Sequence, residues 1–109
     1  MHVSTLEGIL GADAGEPPTL DFSSIAPGAS AFAKIGLEVE DLGIAAFNGR
    51  VADLTPSSRA KLAQVVSVDA RHAGWLRGLE GARPAPQAVD SGIGSAAVKA
   101  AITKTGVVS

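Results

Sequence analysis

The residues of this 109-residue chain best suited to chemistry are two carboxylates and an imidazole: Glu40, Asp69 and His72. Together they offer the oxygen and nitrogen donors that hold iron, manganese and related divalent ions. Asp69 and His72 stand three residues apart, so on a helix both fall on one face. Other chemistries are poorly served. No cysteine is present, which removes thiolate ligands, disulfides and thiol nucleophiles. No Ser-His-Asp set sits on an elbow motif, and no glycine loop follows a strand to cradle phosphate.

Two helices must position these side chains. The first is expected from Ser30, a good N-cap residue, to about Val51. The second starts with Thr55 as N-cap and Pro56 at the first helical position, where a missing N–H costs nothing. It runs to about Glu80 and stops at Gly81, with Pro84 and Pro86 just beyond. Only Ala52-Asp53-Leu54 connect the two, so residues 30–80 are expected to form an antiparallel hairpin.

Angular position at 100° per residue then becomes informative. With Glu40 at zero, Ala33, Gly36, Leu37, Gly43, Ile44 and Phe47 fall within roughly 60° of it. Glu38 is on the opposite, solvated side, and Asp41 sits at the stripe's edge. With Asp69 at zero, Leu62, Val65, Val66, Ala73 and Leu76 share its face, and so does His72; Arg71 points away. Counted outward from a turn centred near residue 54, Glu40 and Asp69 lie at nearly the same height and should face each other. Trp75 falls to one side, as a packing edge or interface residue.

Two carboxylates aimed into an apolar face need compensation, because unpaired buried ions are costly. Arg50, Arg59 and Lys61 are at the edges or ends of the stripes, which leaves room for a bound cation. Blander readings stand beside that one. His72 could be a satisfied core histidine, either acid could be protonated or hydrogen-bonded, and Glu40 with His72 could form one ion pair.

Around the hairpin the chain is modest. Residues 2–11 place Val3, Leu6, Ile9 and Leu10 at helical spacing, as a short helix or the last turns of a longer one. Residues 12–29, with Gly15, Pro17, Pro18, Pro27 and Gly28, read as a long crossover loop. The tail is a Pro-rich strap from residue 82 followed by a weak helical candidate at 95–104. One small all-α domain is the expected whole. A net charge of −2 offers no basic stripe for nucleic acid, and no apolar run is long enough to span a membrane. The first residues lack the pattern of a signal peptide, and the compartment stays open.

The segments VEDLGIAAFNGR (39–50) and VVSVDARHAGWLRGL (65–79) resemble the third and fourth helices of the ferritin-like domain family that includes the desiccation-related proteins. In that family the third helix reads LE-x-x-G-V-x-A-Y and the fourth E-A-R-H-A. The stretch GADAGEPPTLDF (11–22) is similar to the crossover after the second helix, which typically ends E-x-x-H-V; here the chain opens Met1-His2-Val3. The resemblance implies a four-helix bundle holding a di-iron or similar centre, with a glutamate from each of two helices and an E-x-x-H pair from the others. By position, Glu40 matches the third-helix glutamate, Asp69 and His72 the fourth-helix pair, and His2 the second-helix histidine. Asp69 is one methylene shorter than the family's glutamate, and Phe47 replaces a tyrosine.

On this reading residues 1–11 are the end of the second bundle helix, and the chain carries about half a ligand set. Either it is a truncated form of a longer protein, or two hairpins pair across a two-fold axis. A homo-oligomer is therefore expected if the chain is stable by itself. Two functions follow: binding of iron or manganese with oxidation of ferrous iron, or a metal-free bundle with a structural, stress-protective or interaction role.

Overall fold

The computed structural model describes residues 2–23 and 28–108. Among the described residues four α-helices follow in chain order: α1 (His2–Leu10), α2 (Ala29–Arg50), α3 (Pro56–Leu79) and α4 (Ser95–Lys104). Short 3-10 turns follow α1 at Gly11–Asp13 and α2 at Val51–Asp53. No strand forms among the described residues; one isolated antiparallel bridge joins Leu20 to Val108. Met1 and Pro27, which figured in the reading of the first helix and the crossover, lie outside the described residues.

The long pair α2 and α3 is the expected antiparallel hairpin. Thr55 caps α3 as its sequence implies: its Oγ1 accepts from the backbone N–H of Ser58 at 3.2 Å, with Pro56 following. The start of α2 differs from expectation. Gly28, not Ser30, is the N-cap, and no side chain caps this end. The Phe32 N–H already reaches the Gly28 carbonyl at 3.1 Å, so Ser30 falls inside the first turn. At its other end α2 stops at Arg50, one residue short of Val51, where the chain tightens into a 3-10 turn. Arg59 from α3 donates to the carbonyls of Val51 and Leu54, so a cation satisfies the orphan acceptors of the connection.

Small residues let the two helices approach. Ala33 and Ala73 are 1% and 0% exposed, joined in the core by Ile44 and Leu76. A Cβ placed on Gly36 would stand 3.2 Å from Leu76 Cδ1, so the glycine leaves just the room that leucine occupies. α3 ends where Gly81 takes the left-handed conformation, φ 71°, and the Ala82 N–H returns to the Arg77 carbonyl.

The tail is held against the hairpin. The Ile93 N–H donates to the Ala45 carbonyl of α2 at 3.0 Å. Gly49 and Gly92 meet backbone to backbone; a Cβ on Gly49 would overlap the Ile93 carbonyl. From there α4 packs on α2, and the buried Val107 accepts from the Asp21 N–H, closing the crossover against the C-terminal turn.

These glycines give a paired test. Gly49→Ala improves helix propensity yet is expected to lower Tm and to expose residues 84–94 to protease, because the strap must lift. Gly78→Ala, with nothing near its added Cβ, is expected to stabilise by about 0.5–1 kcal/mol. Equal shifts of Tm in the two variants would show that the strap does not press on α2.

Candidate metal centre

Glu40 is contributed by the middle of α2, and Asp69 and His72 by one face of α3. Each offers a ligand atom, and the three atoms lie within 4.8 Å of one another. Side-chain exposure falls from 54% at His72 through 24% at Glu40 to 14% at Asp69. The cluster is thus lined by protein on one side and open on the other.

The register between the helices differs slightly from the counted one. Gly36 meets Leu76, Glu40 meets His72 and Gly43 meets Asp69, so each pair is centred on residue 56 instead of 54. Glu40 therefore stands opposite His72, at 2.9 Å from Oε1 to Nδ1, and Asp69 stands one turn nearer the connection beside Gly43. The 3-10 turn at Val51–Asp53 and the cap at Thr55 advance α3, which a count from the middle of the linker omits.

His2, which the resemblance matched to the second-helix histidine, sits with Nδ1 3.4 Å from Asp69 Oδ1. Each carboxylate thus has one imidazole beside it. The arginines of the hairpin are engaged elsewhere: Arg50 with Asp53, Arg59 with backbone carbonyls, Arg71 with Ser67 and Arg77 with Asp41. Partial burial pushes the Glu40 carboxyl above its ordinary value. The hydrogen bond from His72 opposes that rise, while the negative charge of Asp69 adds to it.

The Arg77–Asp41 pair was not legible in the sequence. Arg77 Nη2 lies 2.6 Å from both Asp41 oxygens, and Nη1 donates to the Pro84 carbonyl at 3.4 Å. The two residues are not level. Helical side chains lean toward their own N-termini, so on antiparallel helices these two lean toward each other.

A divalent ion bound at about 2.0–2.2 Å keeps its ligands at most about 4.4 Å apart. Three donor atoms within 4.8 Å come close to that span, so small side-chain adjustments suffice to fit a cation. The donor set is oxygen and nitrogen without sulfur, as iron(II) and manganese(II) accept. Three ligands leave positions open for water or further side chains.

The raised Glu40 value sets a direction for stability. Between the ordinary 4.5 and the raised folded value, the folded chain binds more protons than the unfolded one. Stability without metal is therefore expected to fall as pH rises through that window. In urea titrations of chelator-treated protein, Glu40→Gln should flatten this fall; an unchanged slope would locate the linkage elsewhere.

No curated protein and no solved structure matches the chain. The profile of the ferritin-like domain does, over residues 1–82, which takes in α1, the crossover and the whole hairpin. The all-α order and the hairpin agree with that match, and the chain belongs to the ferritin-like domain family.

Proposed function

We propose that this chain binds iron or manganese through Glu40, Asp69 and His72, within a ferritin-like bundle in which α1 takes the place of the end of the second helix. The single observation that carries the reading is the convergence of three donor atoms from α2 and α3 within 4.8 Å. A cation there replaces two weak carboxylate–imidazole pairings with direct charge neutralisation. His2, already beside Asp69, is the nearest further donor. When bound, a redox-active ion supplies the capacity to oxidise ferrous iron at its open positions. The chain's own part is to hold the donors on rigid helices. His72 Nδ1 also steers the Glu40 carboxylate.

The ligand set is short of an octahedron, and apolar surface beside it is open. Phe32, Val39, Trp75 and Leu79 are 50%, 37%, 62% and 56% exposed. By helical angle all four lie on one side of the hairpin, next to His72. A second copy of the chain packing there would cover the apolar surface and bring further donors, so a homo-oligomer is part of the proposal.

A second reading has an observation of its own. Glu40 with His72, and Asp69 with His2, already partner one another without any ion. That arrangement also suits a metal-free bundle serving a structural, stress- or desiccation-related role.

Elemental analysis of purified protein separates the two. Iron or manganese near one ion per one or two chains, lost in Glu40→Ala and in His72→Ala, is the expected result. A content well below that, unchanged by either variant, would defeat the metal reading. Sedimentation of the same samples is expected to show a dimer or larger species. A folded monomer would defeat the oligomer.

A further inference from the structure

We infer that Asp41 and Arg77 are the positioning pair of the candidate metal centre: their oblique, two-pronged bond fixes the offset of α2 against α3 that brings Glu40 within reach of Asp69 and His72. The assignment rests on the metal reading above for its consequence, and on the helix pair alone for its geometry. Among the described residues two polar side-chain pairs join α2 to α3. One, Glu40 with His72, belongs to the site itself. The other is Asp41 with Arg77, which supplies no donor atom to the cluster.

Apolar contact leaves this offset poorly fixed. Away from the helix connection the seam is made of Ala33, Gly36 and Ala73, with Leu76 seated against Gly36. Small side chains let helices approach but offer few knobs to stop one sliding along the other, and burial has no preferred direction. A level contact does not stop sliding either. Glu40 and His72 face each other across the seam, so a short slide barely changes the distance between them. Arg77, in contrast, is level with Ile35, six residues from Asp41 and so about 9 Å away along the axis. With axes about 8 Å apart, the pair lies at roughly 45° to the helices. A slide of about 1.5 Å, the rise of one residue, therefore changes its span by about 1 Å. At 2.6 Å from Nη2 to each carboxylate oxygen the bond cannot shorten, and about 1 Å longer it is lost.

The guanidinium is itself anchored. The Arg77 side chain is 17% exposed, and its Nη1 donates to the Pro84 carbonyl of the strap at 3.4 Å, so it is not free to follow a moving carboxylate. A rigid guanidinium fork also fixes direction, which the single point charge of a lysine does not. The cluster depends on such a restraint. Asp69 lies one turn from His72 along α3, and Glu40 must reach both. Any slide carries Glu40 toward one of them and away from the other. The three donor atoms lie within 4.8 Å of one another, against about 4.4 Å that an ion bridges, which leaves little slack in either direction.

The chain has no cysteine, so nitroxide labels can be placed cleanly on Lys34→Cys and Ser67→Cys, both exposed. Ser67 is level with residue 45, eleven residues from Lys34, so the distance between labels reads a slide directly. In chelator-treated protein, Asp41→Asn and Arg77→Lys are each expected to shift or broaden that distance by at least about 1.5 Å. Glu40→Ala, which removes a ligand but not the oblique bond, should leave it unchanged. In titrations of unlabelled protein with manganese(II), both pair variants should bind at least about tenfold more weakly, although neither removes a ligand. Val107→Ala, at a buried position in the C-terminal turn, should lower Tm yet keep the parent distance and affinity, which separates positioning from loss of stability. Parent-like distances in both pair variants would overturn the assignment, and so would a shifted distance with affinity within about twofold of the parent. A parent chain that binds no manganese(II) would defeat the metal reading itself, and the assignment with it.

Discussion

The close approach of α2 and α3 is the constraint on which the other features depend. It rests on small side chains at the contact: Ala33 and Ala73 are fully enclosed, and Gly36 makes room for Leu76. Larger residues there would separate the helices. Glu40 and His72 could then no longer meet at 2.9 Å, nor could Asp69 lie beside Gly43. Packing density and the geometry of the donor cluster are one property of this contact. The buried core is small, and burial alone gives a chain of this size little margin.

The two sides of the hairpin are treated differently. On one, the strap and α4 are fastened to α2 by the Ile93–Ala45 hydrogen bond and the contact of Gly92 with Gly49. Arg77 joins α3, Asp41 of α2 and the Pro84 carbonyl on that side, tying three segments through one guanidinium. On the other side α1 lies along the half of α3 nearer the helix connection. The cluster of Glu40, Asp69 and His72 falls where the cover by α1 ends. That position explains its graded exposure, with Asp69 the most enclosed and His72 the least.

Electrostatics follow from the same placement. Two carboxylates are brought together on a partly dehydrated surface, and nearby arginines are held by other partners. Imidazoles stand in as the compensating groups, one for each acid. They are suited to it because they hydrogen-bond without demanding a permanent charge.

Much of this was legible in the residues. Thr55-Pro56 announces a helix start and Gly81 a helix end, because each meets a local backbone need that few residues can meet. The 3.6-residue period placed Glu40, Asp69 and His72 on facing stripes, since rotation about a helix accumulates predictably over short spans. Four features needed the folded chain. The start of α2 at Gly28 depends on how the crossover delivers the backbone, which Ser30 as a residue type does not reveal. The pairing of Glu40 with His72 was one of several alternatives the residues left open, and the choice depends on how far the 3-10 turn advances α3, a quantity fixed by linker geometry. The Arg77–Asp41 bond and the seat of His2 beside Asp69 join residues far apart in sequence, through side-chain lean and the docking of α1. Local spacing thus determined which residues share a face. Only tertiary packing decided which of them touch, because contact depends on the offset and approach of separate helices, to which one helix's sequence is nearly indifferent.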